Sequence, residues 1–139
     1  MPTFEDALAL AAIAHKDQYD LAGAPYICHP MRVALAQIDE RARIVAILHD
    51  AVEDTEITYD DLVQAGFDAE IIAAVEALTK HPGEKRIDAA VRAKANPLAL
   101  QVKLADVADN MNLARIGYPT AEDYARLKEY EGVLAYLLQ

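Results

Sequence analysis

A single cysteine, Cys28, is all the thiol chemistry this 139-residue chain has, so an internal disulfide is impossible and a reducing, cytoplasmic setting is expected. Glycine and proline are also sparse, at five and six residues, which leaves no linker, repeat or low-complexity tract and excludes a disordered or fibrous chain. The 54% apolar composition instead fits one globular domain over residues 1–139. Long hydrophobic runs are absent: every apolar stretch is broken by Asp, His, Lys or Glu, and none approaches the ~20 residues that span a bilayer. The N-terminus MPTFEDALALAAIAHKD begins with acids and lacks the basic start of a signal peptide. Basic residues are outnumbered, 13 against 23 acids, giving a net charge of −10 that opposes binding to polynucleotides. Neither nucleic acid nor membrane is an expected partner. A small phosphorylated molecule is compatible with this charge if a metal ion and a few Lys or Arg reverse the field inside a pocket. A homo-oligomer is equally compatible.

What the chain has in abundance is Ala and Leu at helical spacing, with N-cap signals at regular intervals. Thr3 with Asp6, Thr58 with Asp61 and Thr120 with Asp123 read as capping boxes, and Asp39 and Asp68 as further caps. The first helix is expected to carry Leu8, Ala12, His15 and Tyr19 before DLAGAPYICHP breaks it. Pro30 opens a second helix to about Gln37, and a third brings the buried face of Ile44, Val45, Ile47 and Leu48 up to an acidic cluster. Gly66 closes the short helix after Thr58, and the next helix carries Ile71, Ile72, Val75 and Leu78. KHPGEKR is a loop, Ile87 to Ala95 a helix, and Pro97 opens the stretch PLALQVKLADVADNMNLARI. In the last helix Tyr124, Leu127, Glu131, Leu134 and Leu138 fall along one side. No segment alternates like a strand, so the fold class is all-α, a bundle of about seven to eight helices.

The chemistry concentrates where apolar helices deliver acids. In ILHDAVEDTEI, His49 and Asp50 are about 100° apart on a helix, and Glu53 and Asp54 follow each at a spacing of four. Acids at the negative end of a helix dipole repel one another and the dipole alike, and a bound cation would resolve that conflict. The same residues can also be read as a solvated helix end in which Asp54 merely caps. KLADVADN adds weight to the first reading, because Val102, Leu104 and Ala105 bring Asp106 in from a second helix, with Asn110 one turn beyond. His29, after the Gly/Pro loop, provides a fourth candidate ligand. Two imidazoles and two carboxylates suit a first-row divalent ion, with Mn²⁺, Fe²⁺ or Mg²⁺ more natural than structural Zn²⁺ in the absence of HExxH and CxxC.

The blocks AHKDQYDLAGAPYICHP, HDAVEDT and KLADVADN, in this order over roughly residues 5 to 135, resemble the HD-domain phosphohydrolase superfamily. More narrowly, they are similar to the hydrolase domain of the RelA/SpoT alarmone enzymes and their stand-alone small relatives. The resemblance implies an HD-type helical domain with a metal site between helices, where His29, His49, Asp50 and Asp106 bind one Mn²⁺. It implies that Glu53 and Asp54 orient or deprotonate the attacking water and that Asn110 contacts the nucleotide's sugar region. The implied activity is a 3′-pyrophosphohydrolase acting on a ppGpp- or ppApp-type nucleotide, without a synthetase segment. One position departs from the pattern: the family's base-stacking Arg corresponds here to Asp20, which cannot provide a cationic stacking plane and so admits an adenine-based or other 3′-phosphorylated nucleotide beside a guanine one. Two alternatives stand beside this reading, a metal-dependent nucleotide or NADPH phosphatase and a non-catalytic nucleotide-binding regulator. Retention of both Glu53 and Asp54 disfavours the regulator.

Around this centre, Lys103 could reach a phosphate or pair with an acid, and Arg115 is a similar candidate. Tyr26 and Tyr130 could pack or line the pocket, and Lys80, Lys85 and Arg86 are either a solvated loop or a cationic rim. His15 is expected to support the site through a hydrogen bond rather than to ligate. Cys28 reads as a small buried residue and His81 as exposed.

Overall fold

The computed structural model describes residues 1–139 as nine α-helical segments and no sheet. They are α1 (Phe4–Ala14), α2 (Cys28–Leu35), α3 (Glu40–Leu48), α4 (Ala51–Asp54), α5 (Tyr59–Gln64), α6 (Ala69–Leu78), α7 (Arg86–Lys94), α8 (Pro97–Asn110) and α9 (Ala121–Leu137), with a 3-10 turn at Leu113–Arg115. Since α4 is a single turn, the bundle agrees with the all-α expectation. The three capping boxes form, at α1, α5 and α9, with both reciprocal bonds present in each. Asp39 and Asp68 accept the N–H of Ala42 and Ile71 at 2.8 and 3.0 Å. Asn96 caps α8 with Pro97 in its first turn. Each cap satisfies amides that a helix cannot pair internally, a contribution of about 1 kcal/mol apiece.

Three boundaries differ from the sequence expectation. Helix α1 stops at Ala14, because Asp17 turns into the left-handed region at φ 68°. Tyr19 therefore leaves the helix and pairs with Pro25 in an isolated bridge. The third helix does not continue through the acidic cluster: His49 ends α3, and Asp50 stands at the N-terminus of α4. Helix α8 ends at Asn110, so Arg115 lies in the 3-10 turn rather than farther along the same helix. In α9 the buried positions are Asp123, Val133 and Leu137, while Tyr124 and Leu138 are exposed. Gly66 closes α5 as expected, at a φ of 97° that suits glycine.

Helix α3 is the spine, with Ile44, Val45, Ile47 and Leu48 fully enclosed and α1, α2, α6 and α8 packed around it. A smaller cluster of Ala90, Val107, Val133 and Leu137 joins α7, α8 and α9. Val102 belongs to the larger cluster and Val107 to the smaller, so the intervening Asp106 sits on the seam where two apolar units meet. The C-terminal end of α3 opens onto that seam. No helix is long and apolar enough to cross a membrane.

Candidate functional site

Three elements bring polar side chains to the seam. Helix α2 contributes His29 in its first turn, the α3–α4 junction contributes His49 and Asp50, and α8 contributes Asp106. The Nε2 atoms of His29 and His49 lie 2.8 and 3.3 Å from Asp106 Oδ1. The same nitrogens lie 3.6 and 3.2 Å from Asp50 Oδ2. Four atoms from three segments of the chain therefore face a common point. His49 is 2% exposed and Asp106 6%, so water does little to screen them.

The charge balance of this cluster tests its fitness for a cation. Burial works against a charged imidazole at His49, but Asp50 and Asp106 outweigh it and hold the ring well above its ordinary value. His29 is raised in the same way, with burial opposed mainly by Asp106. Burial would lift the two carboxyls, yet His49 holds Asp50 down, and Lys103 and His49 hold Asp106 well below the usual carboxylate range. Two carboxylates facing two imidazoles thus favour positive charge between them. A divalent ion held by the two Nε2 atoms and the two carboxylates would supply that charge. The remaining ring nitrogens are already oriented: Nδ1 of His49 faces the Ala46 carbonyl at 2.5 Å, and Nδ1 of His29 faces Asp109 at 2.6 Å.

Glu53 and Asp54 stand beside Asp50 in a second carboxylate group with oxygens within 4.8 Å of one another. Burial, reinforced by neighbouring acids, pushes both upward from the ordinary carboxylate range. Glu53 Oε1 accepts the Lys80 N–H at 2.6 Å, which pins it to the loop before α7. That loop is itself tied down by Arg92, whose guanidinium pairs with Glu84 and donates to the Thr79 carbonyl at 2.6 Å. Tyr26 does more than pack, donating its hydroxyl to Asp50 Oδ2 at 2.8 Å and more weakly to Asp54 at 3.4 Å.

These residues floor a cavity of about 240 Å³. It shares Tyr26, His29, Arg86, Asn110 and Tyr130 with a larger cavity of about 440 Å³. Asn110 donates to Asp106 Oδ1 at 3.2 Å, and Lys103 pairs with Asp106 Oδ2 at 3.2 Å while also lining the smaller cavity. Arg115 lines the larger cavity instead. Arg86 lies 4.9 Å from the Tyr130 ring centroid, at the junction of the two spaces. Asp20 lines the larger cavity and accepts the Ala22 and Ala24 N–H groups, both at 2.9 Å, which shapes its own loop. His15 is buried and bonds Gln18 through Nδ1 at 2.8 Å, while Gln18 donates to the Asp54 carbonyl. His81 is exposed, and Cys28 is half-buried rather than buried.

Sequence reasoning passed over Asp109, Gln18, Arg32 and Arg126. Asp109 had a signal, since it lies three residues after Asp106 in the motif ADVADN. Arg126, held by Asp123 inside the α9 capping box, had none of that kind.

An all-helical bundle that seats an HD doublet against a second Asp from a distant helix defines a class, and the HD domain family model matches residues 7–109. This chain belongs to that family. Among its relatives is the guanosine-3′,5′-bis(diphosphate) 3′-pyrophosphohydrolase MESH1 of Drosophila melanogaster, 29% identical over 140 residues that cover 91% of this chain and 78% of that protein. The enzyme of the same name from Aquifex aeolicus is 30% identical over 148 residues, and that of Borreliella burgdorferi 40% over 78. Those matches cover 91% and 53% of this chain but only 21% and 12% of the two relatives' length. A solved structure described as a metazoan orthologue of SpoT that hydrolyses ppGpp superposes with a TM-score of 0.80 at 25% identity, covering 100% of this chain and 88% of that one.

Proposed function

We propose that this chain is a metal-dependent phosphohydrolase that removes pyrophosphate from the 3′ position of a hyperphosphorylated purine nucleotide, with Mn²⁺ as the metal and Fe²⁺ or Mg²⁺ as substitutes. The observation that carries the proposal is the convergence of His29, His49, Asp50 and Asp106 beside the acids Glu53 and Asp54, which are exposed to the cavity, at the floor of a space that adjoins a larger one. The names and activities of the relatives support the same substrate class.

His29, His49, Asp50 and Asp106 would hold the ion. When bound, it supplies positive charge to phosphate oxygens and makes water a better nucleophile. The chain's own groups do the rest. Glu53 and Asp54, raised by burial, are suited to accept a proton from water as its oxygen forms a bond to the 3′-phosphorus. The bond from that phosphorus to the 3′-oxygen breaks, the 3′-oxygen gains a proton, and pyrophosphate leaves. Arg86, at the junction of the cavities, and Lys103, beside Asp106, supply fixed positive charge near the phosphates. Tyr26 and Asn110 line both spaces and would position the sugar, with Arg115 farther out in the larger one.

Asp20 bears on the base. It lines the larger cavity with a carboxylate acceptor rather than a cationic plane, which removes a stacking contact but suits the exocyclic amine of adenine, as in ppApp or NADPH, as well as the N1–H and amine of guanine, so the substrate panel decides the base. The test is a panel of ppGpp, ppApp, pGpp, NADPH and ordinary nucleotides incubated with the Mn²⁺-loaded protein, with phosphate products identified. Pyrophosphate from a 3′-diphosphate supports the proposal, and orthophosphate from NADPH replaces it with the phosphatase reading. Tight binding without turnover in Mn²⁺, Fe²⁺ or Mg²⁺ refutes both.

A further inference from the structure

Asp109 follows Asp106 by three residues on α8, and its side chain is 12% exposed. Its two oxygens are fully engaged. Oδ2 lies 2.6 Å from His29 Nδ1, while Arg32 grips both oxygens, from Nε to Oδ1 at 2.7 Å and from Nη2 to Oδ2 at 3.0 Å. Arg115 approaches the same carboxylate at 3.5 Å and donates to the Asp109 main-chain carbonyl at 3.4 Å. Both arginines line the larger cavity. One continuous set of contacts therefore runs from the wall of that cavity, through Asp109, to an imidazole whose other nitrogen faces Asp50 and Asp106.

An imidazole that binds a metal through Nε2 must carry its proton on Nδ1. A carboxylate at Nδ1 selects that tautomer, fixes the rotation of the ring and makes Nε2 more electron-rich. The forked Arg32 contact stops the carboxylate from swinging away, since a guanidinium holding both oxygens leaves it one orientation. His49 meets the same requirement differently, through the main-chain carbonyl of Ala46. His29 alone of the two imidazoles depends on a side chain, and a side chain can be removed without disturbing the helix.

We propose that Asp109 is a positioning residue for metal binding: it holds His29 with Nδ1 protonated and Nε2 turned toward Asp50 and Asp106, and anchors it through Arg32 and Arg115 to the wall of the larger cavity. This rests on the metal reading under Proposed function.

The test is calorimetric titration of Mn²⁺ alone into the metal-free full chain. Wild type takes up one ion. Asp109→Ala weakens that binding by about 10- to 100-fold, the usual cost of losing a partner of a ligating histidine. Asp109→Asn keeps an amide oxygen that accepts the Nδ1–H and recovers part of the loss, which a purely structural role would not predict. Wild-type affinity in Asp109→Ala, or an Asp109→Asn no tighter than Asp109→Ala, overturns the proposal. Should circular dichroism show that Asp109→Ala does not fold, Asp109→Asn decides alone: weakened Mn²⁺ binding supports the proposal, and wild-type affinity overturns it. A wild-type chain that takes up no ion refutes the metal reading and this inference with it, a result told apart because it precedes any variant.

Discussion

Replacing Glu53 by Gln changes one oxygen to an amide nitrogen and leaves almost everything else in place. The Lys80 N–H that Glu53 Oε1 accepts at 2.6 Å finds the same acceptor in the Gln carbonyl, so the loop before α7 stays docked. What disappears is the ability to take a proton. General bases contribute about 10²- to 10⁴-fold. Here Asp54 belongs to the same carboxylate group, within 4.8 Å, and takes over part of the role. The expectation is therefore the lower half of that range, a kcat loss of about 10²- to 10³-fold, or roughly 2.7–4 kcal/mol at about 1.36 kcal/mol per decade. Stability moves little, within about 0.5 kcal/mol, because removing one of several crowded acids relieves repulsion as it loses a charged acceptor. The assay pairs steady-state phosphate release at saturating Mn²⁺ with calorimetric Mn²⁺ binding and a melting curve. A kcat within threefold of wild type would refute the assignment of Glu53 as a base, and loss of the ion would show that it ligates instead.

Asp106→Ala is expected to abolish both Mn²⁺ uptake and turnover, since Asp106 Oδ1 faces both imidazoles; calorimetry on the folded variant checks this. Leu48→Ala, at a fully enclosed position directly before His49, should cost about 2–5 kcal/mol, read by urea unfolding as a lower midpoint at unchanged slope. Glu84 carries a pH dependence: hydrogen bonding to Arg92 first, and to the His81 amide second, holds its carboxyl down from 4.5 to about 2. A lowered folded-state value means the stabilisation is complete above about pH 4.5 and is lost as the pH falls toward about 2. Melting temperatures of wild type and Glu84→Gln should therefore differ at neutral pH and converge over that window; a constant difference from pH 7 to 2 would contradict it.

Local chemistry was legible in the sequence and long-range pairing was not. Thr3 with Asp6, Thr58 with Asp61 and Thr120 with Asp123 announce helix starts because a capping box is complete within four residues, and all three formed. The cluster of His49, Asp50, Glu53 and Asp54 was readable because its members lie within six residues of one another, although the acids fall in the single turn of α4 and not at the negative end of a continued α3. Asp109 escaped because its partners, His29 and Arg32, lie 80 and 77 residues away, and only packing of α2 against α8 reveals them.

The break between α3 and α4 is the more instructive miss. On a continuous helix, His49 and Asp50 would project about 100° apart. In the fold, α3 ends at His49, whose Nδ1 reaches back to the Ala46 carbonyl, and Asp50 begins a new turn at φ −99° and ψ −5°. Nε2 of His49 and Oδ2 of Asp50 then come within 3.2 Å of each other, both directed at the seam that Asp106 occupies. Helical periodicity carries no signal for such a junction, because every residue from Ile44 to Asp54 is compatible with one uninterrupted helix. The junction follows from packing: Ile44, Ile47 and Leu48 must face the main core while Asp50 must face a polar cavity, and a straight helix does not serve both. The same junction directs Glu53 toward the Lys80 amide and leaves Asp50 and Asp54 sharing the Tyr26 hydroxyl, so the interruption of the helix sets the partners of all three acids.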